Sequence, residues 1–285
     1  MEKKFERKLE QSVIDRLNEN DLWKDHLKAD CKNEGVFFAI RNNNIGFYHK
    51  GGRLFRFDEK DGFKTHIKYA SVIEKAIIGD YLTQEELKES KLISDFSSNY
   101  KRIQENCALY SGEEAQGVSE IYHKYSYLSS NKIIVLDIEV SFEAIEKENG
   151  QDRIDILLFD TETKTLKFVE AKHFSNSEIW SKTTPKVIEQ IEKYEKQIKV
   201  KKTEIIKAYT EYVKIVNNIF DTTLPPPVDV EDKVTLLIFG FDRNQQQGRL
   251  KELIKENSAY NGHIVYDKGD IKTIILENLW KEKPL

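Results

Sequence analysis

Two short apolar segments of the chain carry charged side chains in their middle. The first, "RIDILLFD" (153–160), contains Asp155, and the second, "TLKFVEAKH" (165–173), contains Glu170 and Lys172. Paired carboxylates bind divalent cations, and an ammonium group beside them can stabilise charge on a phosphate. This chemistry depends on whether the fold brings the three groups together.

The two segments have the pattern of an antiparallel hairpin around a polar turn centred on residues 162–163. With this centre, Asp155 stands opposite Glu170. Arg153 then stands opposite Lys172, and the two-residue period of strands puts all four side chains on one face. Facing carboxylates repel each other unless a divalent cation such as Mg²⁺ lies between them. The alternative is a surface strand whose charges simply alternate outward, but the neighbouring residues are apolar on both faces, as in a sheet covered by helices.

The elements around this hairpin predict a mixed α/β domain. A helical pattern over residues 113–128 precedes a strong strand at 131–145, and Pro185 opens a long helix that ends near Phe220. The segment "KVTLLIFGF" then reads as a buried strand. The order helix, three strands, helix, strand predicts an α/β fold with a mixed central sheet flanked by helices, which we assign to residues 96–285.

The sequence pattern of residues 1–95 predicts an N-terminal α+β domain. After one or two helices, four aromatic-rich segments follow, separated by turn residues: "VFFAIR", "IGFYHKG", "RLFRFD" and "FKTHIKYASV". Short strands with such turns indicate a β-meander. Its aromatic residues favour a small core, with stacking against nucleic acid as the alternative. The expected role of this domain is recognition or regulation, including contact with a partner protein or a second copy of the chain.

Composition narrows the class of protein. The 285 residues carry a net charge of −4, which excludes a protein that coats nucleic acid by bulk charge. No apolar run is long enough for a membrane-spanning helix, and no signal-peptide pattern is present, so no membrane partner is expected. The two cysteines lack metal or redox spacing and indicate reduced thiols in a cytoplasmic protein.

The hairpin residues resemble a known signature. Asp155 followed by the E-x-K of Glu170, Ala171 and Lys172 is similar to the PD-(D/E)XK nuclease superfamily, with Ile154 where the name has proline. The resemblance covers roughly residues 110–245. It implies a restriction-endonuclease-like core and a metal-dependent phosphodiesterase.

A second motif points to one branch of that superfamily. Gln190 and Tyr194 in "EQIEKYEKQ" resemble the Q-x-x-x-Y helix motif of RecB-like nucleases. A spacing of four places both side chains on one helix face. Coming after the hairpin and at the start of a helix, the two motifs support each other.

The resemblance implies roles for individual residues. Asp155 and Glu170 are expected to hold Mg²⁺ or Mn²⁺, and Lys172 to position the attacking water. Substrate contacts are expected from three residues, Arg153, Gln190 and Tyr194. The expected activity is a nuclease that acts on DNA in restriction, repair or phage defence, with endonuclease and exonuclease action both open. An RNase, or a catalytically inactive nucleic-acid or protein binding module on the same fold, is the alternative, although a pure binder has no reason to keep facing carboxylates.

The superfamily also uses an acid from the helix that precedes the sheet. Glu120 in "VSEIYHKY" is the favoured candidate, with His123 and Glu139 as alternatives. If residues 149–150 form the turn before the second strand, Glu139 pairs with Asp160, on the face opposite the carboxylate pair. A bulge or an odd loop length would reverse this orientation.

Overall fold

The computed structural model describes residues 5–72, 91–142, 153–181 and 183–285 of the chain. It has a four-stranded antiparallel sheet and a six-stranded mixed sheet together with helices, so the mixed α/β class is confirmed. The turn predicted at residues 149–150 lies outside the described residues. Within the described ranges, none of the helices combines the length and the apolar character that crossing a membrane requires.

The first sheet is the predicted β-meander, with its strands in sequential order. Its strands are β1 (Phe37–Arg41), β2 (Asn44–His49), β3 (Gly52–Asp58) and β4 (Gly62–Lys64). The helices around it are α1 (Gln11–Glu19), α2 (Lys28–Lys32) and α3 (Ile67–Ala70). The last predicted strand is too long, because the ring of His66 accepts the backbone N–H of Lys68 and thereby caps α3. Two short strands, β5 (Ser71–Val72) and β6 (Lys91–Leu92), pair separately.

The second sheet follows the helix–strand order predicted from the sequence. Its strands are β7 (Ile133–Ser141), β8 (Arg153–Asp160), β9 (Thr165–His173), β10 (Asp229–Val230), β11 (Thr235–Phe239) and β12 (Ile264–Lys268). The accompanying helices are α4 (Tyr100–Leu109), α5 (Glu113–Lys124), α6 (Lys186–Phe220), α7 (Arg243–Gln245), α8 (Lys251–Glu256) and α9 (Leu276–Lys281). The spatial order is β12-β11-β9-β8-β7, with β10 also pairing with β9.

Strand direction changes at the centre of this sheet. β8 runs antiparallel to both of its neighbours, β7 and β9, whereas β9, β11 and β12 are parallel. Parallel neighbours need a long crossover connection, and α6 lies within the one that joins β9 to β11. The strand that carries the E-x-K residues is therefore paired on both sides.

The predicted register of the hairpin is confirmed where β8 and β9 pair. Ile156 stands opposite Val169 and Asp160 opposite Thr165, so the turn is centred between residues 162 and 163. The backbone pairing ends at Ile156 and Val169, one residue before Asp155 and Glu170. The two strands therefore separate at the position of the carboxylates.

The predicted register of β7 is wrong. Asp160 pairs with Ile133 rather than with Glu139, and an irregularity between Val135 and Asp137 adds one residue to β7. Such a bulge turns the following side chains to the other face. Ile138 and Val140 pair with the residues on either side of Asp155, so Glu139 lies at the level of Asp155. Its φ of 50° is a left-handed conformation that is uncommon for a non-glycine residue.

The two sheets share one buried core. Buried residues of the meander and of the larger sheet belong to the same cluster, and the ring of Phe38 lies 5.3 Å from that of Phe220 at the end of α6. The meander aromatics are buried, as a packing role predicts: Phe37, Phe47, Tyr48, Phe55 and Phe57. A domain boundary at residue 95 stays a prediction.

A buried ion cluster joins the same parts of the chain. Asp137, in the bulge of β7, has no exposed side-chain surface. Its carboxylate accepts hydrogen bonds from Arg7 Nε at 3.0 Å, Arg41 Nη1 at 2.8 Å and the Tyr209 hydroxyl at 2.8 Å. The cluster therefore ties the N-terminal segment, β1 and α6 to the irregular part of β7.

Candidate functional site

An open cleft of about 450 Å³ lies where β8 and β9 separate. The strands, the turn after β9, α5 and α6 all contribute to it. Its lining residues are Glu114, Arg153, Asp155, Glu170, Lys172, Asn176, Ser177, Glu178, Gln190 and Tyr194. The cleft thus contains the six residues that the two motifs and the hairpin face single out, and four that the sequence did not.

Asp155 and Glu170 line the cleft from the neighbouring strands β8 and β9. The Oδ2 atom of Asp155 accepts the backbone N–H of Ala171 at 2.8 Å, so this side chain bridges the strands where their backbone pairing ends. The Oε1 atom of Glu170 lies 2.9 Å from Lys172 Nζ. The Oε2 atom of Glu170 is buried and has no hydrogen-bond partner. A buried acceptor without a partner is costly, and a bound cation would satisfy it.

Burial and mutual repulsion set the charge of these acids. Burial, and then the charge of Glu170, raise the pKa of Asp155 well above its ordinary value. Burial raises the pKa of Glu170 to about 7, although the ammonium group of Lys172 acts in the opposite direction. Burial alone would lower the pKa of Lys172, but Glu170 and Asp155 outweigh it and raise that pKa. The lysine is therefore a cation at neutral pH, while Asp155 favours its protonated form and Glu170 is close to half protonated, and a metal ion would displace these protons.

The donor set fits a divalent cation held mainly by Asp155 and Glu170. Among the described residues, no three His, Cys, Asp or Glu side chains are arranged as a complete metal-binding group. Mg²⁺ is commonly held by one or two carboxylates, with water and phosphate oxygens as its other ligands. The cleft is lined by four carboxylates and two cations, so its charge favours a cation over a bare phosphate.

We expect the buried Glu170 to make the stability of the metal-free protein depend on pH. The folded protein holds the Glu170 proton up to about pH 7, whereas the unfolded chain releases it near the ordinary pKa of a glutamate. The protonated Glu170 therefore favours the folded state at low pH, and this stabilisation is lost as the pH rises from the unfolded pKa to about 7. From pH 4.5 to 7, wild type should lose about 3 kcal/mol more than Glu170→Gln. Urea unfolding in a chelator across this range measures the difference. If the stabilities of wild type and of Glu170→Gln change with pH in the same way, the Glu170 carboxyl group is not desolvated.

Of Glu114 and Glu120, two acids of the preceding helix, Glu114 lines the cleft and Glu120 does not. Glu114 lies in the first turn of α5, and its Oε2 atom accepts the backbone N–H of His173 at 2.9 Å and the side-chain amide of Asn176 at 2.8 Å. Glu120 does not line the cleft, and its Oε1 atom lies 3.8 Å from Lys50 Nζ. The two glutamates are six residues apart on one helix, and only Glu114 faces the end of β9.

The two alternatives to Glu120 lie in different places. His123 packs against the rings of Tyr122 and His49, away from the cleft residues, and burial together with His49 lowers its pKa to about 3. Glu139 lies beside the site. Its Oε2 atom accepts a hydrogen bond from Arg153 Nη1 at 3.0 Å, and it borders a small cavity of about 110 Å³ that Asp155 also lines.

The motif residues of α6 face the cleft from the side. Tyr194 is buried and its hydroxyl donates to the backbone oxygen of Arg153 at 3.0 Å, which fixes the start of β8. Gln190 lies one turn earlier on the same face, and its buried Oε1 atom has no hydrogen-bond partner. The Arg153 guanidinium is about half exposed at the mouth of the cleft. α6 thus contributes one residue that supports the site and one polar group open to a ligand.

Four residues of the cleft were not predicted from the sequence: Glu114, Asn176, Ser177 and Glu178. A signal for Glu114 exists, since it shares the helical stripe of Gly117, Val118, Ile121 and Tyr122, which are all buried. The turn after β9 carries no comparable pattern.

Comparison of the chain with protein-family models, with curated proteins and with solved structures finds no match, so its site is described by its own geometry alone.

Proposed function

We propose that this protein is a metal-dependent nuclease that hydrolyses phosphodiester bonds, with DNA as its substrate, on a restriction-endonuclease-like core of the PD-(D/E)XK type. The observation that carries the proposal is the convergence of Asp155, Glu170 and Lys172 at the point where β8 and β9 separate. The unpartnered Oε2 atom of Glu170 supports a cation site there. Gln190 and Tyr194 on the adjacent helix support the RecB-like assignment.

The residues of the cleft have different roles in this proposal. Asp155 and Glu170 would hold Mg²⁺ or Mn²⁺. When bound, such an ion polarises a phosphate and lowers the pKa of its bound water. The Lys172 ammonium group, fixed as a cation, orients the water and stabilises negative charge that develops on the phosphate. The exposed guanidinium of Arg153 attracts the nucleic-acid backbone to a cleft that is otherwise acidic.

The test is a cleavage assay with matched substrates. Purified protein is incubated with circular and linear DNA, single- and double-stranded, and with RNA, in Mg²⁺, Mn²⁺ or a chelator. We expect metal-dependent cleavage of DNA, and nicking or linearisation of circles if the action is endonucleolytic. Digestion of RNA alone would replace DNA by RNA as the substrate. No cleavage of any substrate, with no metal-dependent rise in melting temperature, would reject the nuclease and favour a binding module.

A further inference from the structure

The ammonium group of Lys172 is held between two carboxylates. Its Nζ atom lies 2.9 Å from Glu170 Oε1 and 2.9 Å from Glu178 Oε2. The lysine side chain is 9% exposed and that of Glu178 is 27% exposed. Lysine is a point charge on a flexible stem, so a single partner leaves the ammonium group more freedom to move than two partners do.

Glu178 reaches Lys172 because of a short turn after β9. Residues Ser177–Ile179 form a 3₁₀ turn, and Asn176 precedes it as the capping residue. The Asn176 Oδ1 atom accepts the backbone N–H of Glu178 at 3.0 Å, and the Asn176 backbone N–H donates to the carbonyl of His173 at 2.8 Å. The turn is thereby fixed to the end of the strand that carries Lys172.

The same asparagine also binds the acid of α5. Its Nδ2 atom donates to Glu114 Oε2 at 2.8 Å, and Glu114 in turn accepts the backbone N–H of His173. One end of the amide must accept from a backbone N–H and the other must donate to a carboxylate, so the partners determine its orientation. Aspartate at this position would supply the acceptor but not the donor. Asn176 therefore connects Glu114 on one side of the turn to Glu178 on the other.

We propose that Glu178 is a positioning residue, which holds the Lys172 ammonium group beside the carboxylate pair, and that Asn176 fixes the turn that carries it. This proposal rests on the proposed nuclease function. Glu178 adds a negative charge to a cleft that is already acidic, and its ion pair with Lys172 offsets the repulsion from Glu170. Its removal should leave the lysine charged and present, but no longer confined to one geometry.

The kinetic test compares Glu178→Ala, Glu178→Gln and Ser175→Ala with wild type. Loss of an outer supporting partner commonly lowers activity by about 10–100-fold. We expect a fall in kcat of that size for Glu178→Ala, with KM unchanged, and partial recovery in Glu178→Gln, because the amide oxygen still accepts from Lys172. Ser175 is the matched control, since it is exposed, does not line the cleft and bonds only the His173 ring. Ser175→Ala should behave as wild type.

A second measurement does not depend on activity. In protein labelled with ¹⁵N-lysine, the Lys172 ammonium signal is assigned by its loss in Lys172→Ala. It should be resolved in wild type and in Ser175→Ala, because a confined ammonium group exchanges slowly with water, and broadened in Glu178→Ala. An unchanged signal in Glu178→Ala overturns the positioning role. So does a higher KM with unaltered kcat, or loss of Mn²⁺ binding in calorimetry, since these indicate a substrate contact or a metal ligand. If wild type cleaves nothing, the nuclease assignment fails and the ammonium signal alone decides the positioning role.

Discussion

Replacement of Asp155 by Asn is expected to abolish cleavage, and replacement of Lys172 by Ala to reduce it by about 10²–10³-fold, as loss of a transition-state-stabilising donor does in other enzymes. The two variants should differ in metal binding. Asp155→Asn removes a metal ligand and so should also abolish metal uptake, whereas Lys172→Ala leaves both carboxylates in place. Without metal, and at a pH high enough to ionise both acids in wild type, Asp155→Asn should melt at a higher temperature than wild type, because the repulsion between Asp155 and Glu170 is gone.

A matched control is available on the same strand. Asp160 is also buried in β8, but its Oδ1 atom accepts backbone N–H groups of the hairpin turn and it does not line the cleft. Asp160→Asn should therefore keep cleavage. Cleavage rates, calorimetric titration with Mn²⁺ and melting curves with and without Mg²⁺ are measured for all variants. Unchanged cleavage in Asp155→Asn would refute the catalytic assignment.

The second large effect concerns stability rather than chemistry. Asp137→Ala should lower the free energy of unfolding by about 3–5 kcal/mol, the range found when one partner of a buried ion pair is removed. Its loss leaves Arg7 buried without a carboxylate, removes the only carboxylate acceptor of Arg41 in the described part of the chain, and takes the acceptor from the Tyr209 hydroxyl. Urea unfolding followed by circular dichroism measures the change.

An exposed ion pair provides the control for this experiment. Glu211 and Lys214 form an ion pair at 2.6 Å on the surface of α6, with both side chains about half exposed or more. Pairs of this kind contribute about 0–1 kcal/mol, so Glu211→Ala should change stability little. A loss below 1 kcal/mol in Asp137→Ala would show that water reaches the cluster and compensates the arginines.

The sequence was most informative where structure is local. The turn centred on residues 162–163 and the two-residue period of strands were enough to place β8 against β9 in the observed register. The four-residue spacing of Gln190 and Tyr194 likewise put both on one face of α6. These features depend on neighbours in the chain, and hydrophobic periodicity reports them directly.

The errors arose where a distant contact decides the geometry. The bulge in β7 accompanies the buried Asp137, whose partners come from Arg7, Arg41 and Tyr209, far away in sequence. No local sequence pattern indicates the extra residue of this bulge, so the register of Glu139 could not be predicted. A one-residue shift is enough to move a side chain to the other face of the sheet.

The expectation that Glu120 lies at the site failed for a different reason. An acid of this helix was expected there, but the face of α5 that meets the sheet is decided by packing. Gly117 packs against Phe239 so closely that a Cβ atom there would lie 2.1 Å from the ring, which fixes the helix face that meets the sheet. Glu114 and Glu120 each lie three residues from Gly117, but on opposite sides of it around the helix, and only Glu114 is on the side of the buried Val118 and Ile121. The place of Glu178 in the cleft could not be predicted from the sequence, because it depends on the path of the turn after β9.

The shared core also constrains how the chain can fold while it is being synthesised. Phe38 packs against Phe220, and the side chains of Arg41 and Tyr209 meet at Asp137, so the meander is completed by residues that leave the ribosome much later. At roughly 5–20 residues per second, the intervening ~180 residues take about 10–40 s to synthesise. During that interval the aromatic face of the meander has no cover from α6. We therefore expect the nascent meander to expose aromatic surface that a chaperone can bind.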